Sequence, residues 1–121
     1  MPSRDEHLAQ AAKNEKLANT LAKGEFTDWA VTLYFYTAVH LIESYLSIHG
    51  YHCDDHTERN KRISAIPQLR QIFHEYQTLK TLSRQARYHA QPITPDDLKR
   101  AQEKLAIIQA QITYVTTGKK S

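Results

Sequence analysis

The chain has 121 residues, of which 40% are hydrophobic and 24% are charged. This length suits one domain with a single core, and the composition excludes a disordered or low-complexity protein. Three glycines and four prolines are too few turn-forming residues for a many-stranded sandwich or barrel, so we expect an all-α fold. A single cysteine, Cys53, excludes an internal disulfide framework and suits a reducing cytosol.

No segment of the sequence is typical of a membrane anchor or an export signal. In the apolar middle of the chain, the longest stretch without a charged residue runs from Trp29 to Ile42 and has 14 residues. A membrane-spanning helix needs about 20. The N-terminal sequence MPSRDEHLAQ lacks the apolar segment of a signal peptide. We therefore expect a cytoplasmic protein with no membrane partner.

Charge is unevenly distributed along the chain. Residues 1–58 contain four basic and nine acidic residues, whereas residues 59–90 contain seven basic residues and one acidic residue, Glu75. The basic segment is suited to a phosphate-facing surface. It is equally suited to pairing with the acidic first half of the chain, and the charge distribution leaves both alternatives open.

The first two predicted helices occupy the acidic half. The first spans residues 5–23, which are rich in good helix formers, and Gly24 follows as a terminator. The second begins near Thr27 or Asp28, either of which can cap it, and ends at Gly50. Because apolar residues cover most of its circumference, we expect this second helix to be the central and most buried one.

Polar residues on the second helix form one stripe, because His40, Glu43, Ser44 and Ser47 stand at offsets of 0, 3, 4 and 7. We expect such a stripe to face solvent, a partner subunit or a site. The aromatic residues of this helix are interpreted as core and subunit contacts rather than as a base-stacking platform: Tyr34, Phe35, Tyr36 and Tyr45.

The basic half of the chain predicts two further helices. Residues 49–57 form a polar loop and residues 58–66 a short helical turn. The third helix begins at Pro67 and ends before Pro92, since the residue preceding proline is disfavoured in a helix.

The last helix has the clearest start signal, with Thr94 as cap, Pro95 at the first position, and Asp96 and Asp97 at the positive end of the helix dipole. Its apolar residues follow at alternating spacings of 3 and 4, a bundle-seam pattern: Leu98, Ala101, Leu105, Ile108, Ile112 and Val115.

Together these elements predict an antiparallel four-helix bundle, with a long polar loop or short helix between the second and third helices. The whole chain, residues 1–121, is interpreted as one domain. Its core spans about residues 5–117, and residues 118–121 form a frayed tail.

The end of the third helix contains a candidate catalytic pair, Arg84 and His89. Arginine stabilises phosphate charge, and histidine transfers a proton near neutral pH. Five residues on an ideal helix place two side chains about 140° apart. Convergence therefore requires His89 to leave the helix or a second subunit to complete the site. Taken alone, the spacing is better explained by a solvated helix end.

A second candidate is the quartet His49, His52, Cys53 and His56, which are all residue types that bind zinc. Their spacing is not a usual paired-ligand pattern, and the sequence has no second cluster. We interpret the quartet as a solvated loop and predict no bound metal.

Three blocks of the sequence resemble HEPN domains, the small helical domains of many prokaryotic nucleotide-related and defence systems. Residues 18–40 (ANTLAKGEFTDWAVTLYFYTAVH) resemble the end of that family's first helix, its turn and its aromatic-rich second helix. Residues 56–63 (HTERNKRI) resemble its loop, where a histidine precedes basic residues. Residues 82–98 (LSRQARYHAQPITPDDL) resemble its signature region. The resemblance covers about residues 5–117.

The resemblance implies a homodimer in which the motifs of both chains face each other across the two-fold axis. In active members of the family, this composite cleft is the active site of a metal-independent endoribonuclease. Arg84 and His89 match its catalytic pair. Gln85 stands where the family often has Asn, Asp or His, and Gln91 where some toxin members have Tyr. The supporting residues would be Glu43, Gln85 and Tyr88.

The expected function is an endoribonuclease that uses the RNA 2′-hydroxyl as nucleophile and needs no cofactor, as part of a toxin–antitoxin or defence system. His89 would be the general base or acid and Arg84 the electrostatic stabiliser. Flanking phosphates would contact Arg87, Arg59 and Arg62. One alternative is a non-catalytic HEPN module that binds a nucleotide, RNA or a partner nucleotidyltransferase. Another is a helical interaction protein whose dimer is its only role.

Overall fold

Helices account for 81% of the residues that the computed structural model describes, 2–88 and 91–118, and no strand occurs among these residues. The all-α prediction is confirmed. Six helices follow one another in the described ranges, four of them long and two short: α1 (Arg4–Leu21), α2 (Thr27–Ile48), α3 (His56–Ala65), α4 (Pro67–Arg70), α5 (Phe73–Tyr88) and α6 (Pro95–Thr117).

The first helix begins with a capping box that the sequence analysis did not predict. The Glu6 amide donates to Ser3 Oγ at 3.1 Å, and the Ser3 amide donates to the Glu6 carboxylate at 3.0 Å. This reciprocal pair satisfies two backbone donors that a helix start leaves free. The helix ends at Leu21, slightly earlier than predicted.

The second helix begins at Thr27, as predicted, but neither Thr27 nor Asp28 caps it. Phe26 occupies the cap position without a side-chain hydrogen bond, so Thr27 is already helical and Asp28 lies in the first turn. There its carboxylate interacts favourably with the helix dipole. The chain leaves the helix through Gly50, whose φ of 78° is a left-handed conformation that glycine adopts without strain.

The prediction that the second helix is central is confirmed. Thirteen of the 22 residues of α2 are buried, and the helix packs against α1, α5 and α6. Tyr34, Phe35 and Tyr45 lie in the core, whereas Tyr36 is half-buried. Most of the apolar surface of α2 is therefore covered within one chain, with Trp29 as an exception at 55% exposed.

The connection after α2 is more helical than predicted. Asp55 caps α3 by accepting a hydrogen bond from the Glu58 amide at 2.8 Å. The predicted third helix is divided into α4 and α5, because the Ile72 amide donates to the Leu69 carbonyl at 3.0 Å, three residues back instead of four. This tighter turn buries both Leu69 and Ile72.

The last helix forms as predicted. The Asp97 amide donates to Thr94 Oγ1 at 3.0 Å and Pro95 is the first helical residue. Ala101, Leu105, Ile108 and Ile112 are buried in the core. Of the tail predicted to fray, residues 119–121 lie outside the described residues. Within the described ranges, no helix has the length and apolar character needed to cross a bilayer.

Candidate nucleic-acid interface

A basic groove of about 360 Å³ lies against the C-terminal half of α5. It is lined by one residue from the start of α3 and by four from α5: His56, Lys80, Arg84, Arg87 and Tyr88. None of these five side chains is acidic. We call this set of residues the basic groove.

The three cations of the basic groove share one face of α5, since Lys80, Arg84 and Arg87 stand at offsets of 0, 4 and 7. None of the three forms an ion pair with a carboxylate of the described residues. Burial and the neighbouring positive charge of Arg84 and Arg59 lower the pKa of Lys80. Such mutual repulsion is relieved when an anion binds.

Arg84 is the most available of these cations. Its side chain is exposed and forms no hydrogen bond or ion pair within residues 2–88 and 91–118. Its guanidinium is free to contact a phosphate through two parallel hydrogen bonds.

Arg87 is held more firmly, by two tyrosines. Its Nη1 donates to the Tyr36 hydroxyl at 2.8 Å, and its guanidinium carbon lies 4.9 Å from the centre of the Tyr88 ring. Tyr88 itself is 69% exposed. One end of the basic groove therefore presents an open aromatic surface next to fixed positive charge.

Beneath the groove lies a buried ion pair between α2 and α3. Arg59 Nε donates to Glu43 Oε1 at 2.7 Å, and the two side chains are only 10% and 7% exposed. Burial by itself would lower the pKa of Arg59, but the hydrogen bond to Glu43 and the nearby Tyr76 side chain raise it. The prediction that Arg59 contacts flanking phosphates does not fit this placement, because its guanidinium is already occupied inside the fold.

The same arginine contacts the groove histidine. Arg59 Nη1 lies 3.1 Å from His56 Nδ1, and the His56 ring packs 5.8 Å from the Phe35 ring. Burial, together with the positive charge of Arg59, lowers the pKa of His56 below its ordinary value. His56 is therefore neutral at physiological pH.

The other predicted site residues are placed apart. Arg62 stacks on Tyr51, with 4.2 Å between its guanidinium carbon and the ring centre, and does not line the basic groove. The Gln85 amide donates to the Pro92 carbonyl at 3.4 Å, which ties α5 to the segment before α6. His89 lies outside the described residues, so its expected proximity to Arg84 stays a prediction.

None of the four residues of the polar stripe of α2 is fully exposed, so the stripe does not simply face solvent, and the alternatives of a partner subunit or a site stay predictions. Glu43 pairs with Arg59, while Ser44 and Ser47 bond to carbonyls of their own helix. His40 Nδ1 lies 3.0 Å from Nδ1 of His7 on α1. Burial lowers the pKa of both histidines, and each histidine also experiences the positive charge of Arg59.

These lowered pKa values predict a loss of stability in mild acid. A histidine whose folded pKa lies below its unfolded value of about 6.5 binds more protons when unfolded. We expect the contribution of these histidines to the free energy of unfolding to be complete above about pH 6.5 and to decrease as the pH falls below that value. Urea titrations at about pH 7.5 and pH 5.5 measure this effect. The double variant His7→Gln, His40→Gln should show a smaller difference; an unchanged difference would contradict the assignment.

The candidate zinc quartet is dispersed. The His49 ring packs 4.8 Å from the Tyr45 ring, whereas His56 belongs to the basic groove. Burial, with the negative charge of Glu43 and Glu58, raises the pKa of Cys53 to about 11, so its thiol stays protonated. Across residues 2–88 and 91–118, no three such donors come together in a group that could hold a metal.

Two groove residues, His56 and Lys80, were missed as site residues in the sequence analysis. The spacing of Lys80, Arg84 and Arg87 was the signal that could have identified the lysine, because offsets of 0, 4 and 7 define one helix face. His56 was considered only as a metal ligand. Its proximity to α5 depends on the path of the chain between α2 and α5, which local pattern does not reveal.

Comparison with known proteins adds no assignment: no protein-family model, curated protein or solved structure matches this chain.

Proposed function

We propose that the chain is a metal-independent endoribonuclease that binds RNA phosphates in the basic groove. The observation that carries this proposal is a set of three cations, without an ion pair to any carboxylate of the described residues, beside a neutral histidine and an exposed tyrosine. Clusters of basic and aromatic side chains of this kind are the usual means of contacting single-stranded nucleic acid.

The reaction requires little covalent chemistry from the protein, since RNA carries its own nucleophile. The 2′-hydroxyl loses a proton to a general base and attacks the adjacent phosphorus. The bond to the 5′-oxygen then breaks, and that oxygen takes a proton. The products are a 2′,3′-cyclic phosphate and a 5′-hydroxyl end. In this proposal Arg84 stabilises the charged phosphorane and His89, which follows Tyr88 in the sequence, transfers the proton.

The long helices support the finer part of the proposal, an antiparallel four-helix bundle of the HEPN type. α2 contacts α1, α5 and α6, and α5 contacts α6, so the long helices share one core. The two short helices, α3 and α4, lie between α2 and α5, where the predicted bundle has a long polar loop or a short helix.

A homodimer with a composite site is also part of the proposal. The apolar residues that remain more than half exposed include Phe26 and Trp29 at the start of α2 and Tyr88 at the basic groove. We expect sedimentation at micromolar concentration to show a dimer. A protein that sediments as a clean monomer of 14.0 kDa would contradict this expectation.

Tyr88 predicts a preference for single-stranded RNA. A base can stack on its exposed ring while the neighbouring phosphate contacts Arg84, a geometry that a paired base cannot adopt. We expect Tyr88→Ala to weaken single-strand binding by about 1–3 kcal/mol. Binding of duplex RNA should change little. Tyr88→Phe keeps the ring and serves as the matched control; equal losses in both variants would exclude stacking.

One observation favours a second candidate, a non-catalytic RNA-binding or nucleotide-binding module. His56 Nδ1 is occupied by Arg59, so among the described residues no free imidazole base lines the basic groove. Incubation of the protein with single-stranded and structured RNA in EDTA separates the two candidates. Cleavage to cyclic-phosphate ends supports the nuclease, whereas salt-dependent binding without cleavage supports the module.

A further inference from the structure

Three residues on two helices, Glu43 of α2 and Arg59 and His56 of α3, form one hydrogen-bonded chain that ends in the basic groove. Glu43 accepts from Arg59 Nε at 2.7 Å, and Arg59 Nη1 lies 3.1 Å from His56 Nδ1. Glu43 and Arg59 are buried, and His56 is half-buried and lines the groove. The hydrogen-bonded chain thus runs from the interior of the fold to its basic surface.

The chemistry of arginine decides which ring nitrogen of His56 carries the proton. A guanidinium donates hydrogen bonds and accepts none. His56 Nδ1 must therefore be the acceptor, and the hydrogen of the neutral ring resides on Nε2. Protonation of Nδ1 would replace this hydrogen bond with a repulsive contact between two donors. The second nitrogen of a histidine is commonly set in this way by the partner of the first.

This arrangement excludes His56 as the base of a cleavage reaction. The lone pair of Nδ1 is engaged with Arg59, and Nε2 already carries a hydrogen. What His56 can supply is a neutral N–H donor, which polarises an oxygen without adding to the charge of a crowded cationic site. Lys80, Arg84 and Arg87 supply that charge.

We infer that His56 is a binding residue whose Nε2–H donates to a phosphate oxygen of single-stranded RNA. Arg59 and Glu43 are positioning residues that hold the tautomer of His56. This inference rests on the proposed function. It assigns two predicted site residues, Glu43 and Arg59, to a role behind the site instead of in contact with RNA. It also makes the basic groove a binder of phosphate that operates over the whole neutral pH range.

The tautomer is measurable without RNA. Nitrogen-15 NMR of the full chain distinguishes a protonated Nε2 from a protonated Nδ1 by their chemical shifts. We expect the Nε2–H form for His56, and it should persist as the pH falls below the ordinary histidine pKa of about 6.5. A spectrum of the Nδ1–H form, or of an equal mixture, would overturn the role of Arg59.

The donor role is tested by binding of a short 2′-O-methyl RNA, which lacks the nucleophile and so reports affinity without turnover. His56→Ala should weaken binding about 5- to 10-fold, the effect of one neutral hydrogen bond. His56→Gln keeps a neutral N–H donor at a similar reach and should retain most of the affinity. His74→Ala, an exposed histidine of α5 outside the groove, is the matched control.

The outcomes separate this inference from the proposed function. If the wild-type protein does not bind RNA, the proposed function fails, and the donor role fails with it. If the wild-type protein binds and His56→Ala binds equally well, RNA binding stands and the donor role is overturned. If His56→Gln loses as much affinity as His56→Ala, the side chain acts through its imidazole shape and not as a donor. Circular dichroism of each variant confirms that the helices are retained.

Discussion

Replacing Arg59 with alanine is expected to destabilise the fold by about 3–5 kcal/mol, because the substitution leaves the Glu43 carboxylate buried without a partner. The two side chains are 10% and 7% exposed and their charged atoms lie 2.7 Å apart, so the contact that is lost is made largely away from bulk water. The pair also joins α3 to the central helix. Urea unfolding monitored by circular dichroism measures the loss.

A matched control comes from the same short helix. Arg62 lies three residues from Arg59 but is only half-buried and stacks on Tyr51, and Arg62→Ala should cost less than about 1 kcal/mol. Glu43→Ala should be as damaging as Arg59→Ala. The double variant should be less damaging than the sum of the two, since neither charge is then left alone. Additive losses would show that the two residues do not act as a pair.

For the proposed nuclease, Arg84→Ala is expected to reduce the cleavage rate about 10²–10³-fold, the usual loss when one preorganised donor to a developing charge is removed. Arg84 is exposed, and its side chain makes no hydrogen bond within the described residues, so the fold should be unaffected. Single-turnover cleavage of labelled RNA in EDTA measures the rate. Arg100→Ala removes an exposed arginine outside the basic groove and serves as the control.

His89→Ala should reduce the same rate about 10²–10⁴-fold with little change in RNA affinity, as expected for a residue that transfers protons. The salt dependence of binding separates the two roles. Arg84→Ala should reduce the slope of log affinity against log salt concentration by about one, because one phosphate contact is lost. His89→Ala should leave this slope unchanged. Cleavage that persists in His89→Ala would exclude the mechanism and leave the basic groove as a binding site.

Most of the helical framework was accessible from the sequence. The last helix has a cap, a first-position proline and an apolar seam, all of which act within a few residues of one another, and it forms as predicted. The breadth of the apolar surface of α2 likewise predicted its central place. By contrast, the break after α4 depends on how Leu69 and Ile72 reach the same core, and the local pattern contains no sign of it.

The candidate site was less accessible, and its residues show why. Arg84, Arg87 and Tyr88 were identified from one continuous segment, and the structure places them in one groove. Arg59 was grouped with them by charge alone. Its guanidinium instead pairs with Glu43, which stands 16 residues earlier in the chain, so the alternative of internal pairing with the acidic half is correct for this residue.

The sequence by itself determined the four long helices and the sign of the charge on α5, because helix propensity, capping and the 3.6-residue period are properties of neighbouring residues. Only the tertiary structure decided which charges are available to a ligand. Arg59 and Arg84 are the same residue type in the same basic stretch, yet one is buried against a carboxylate and the other is exposed and forms no ion pair with any described residue. The difference arises from the packing of α3 against α2. That packing brings a carboxylate to Arg59 and His56 to the basic groove, while Arg84 remains on the outer face of α5.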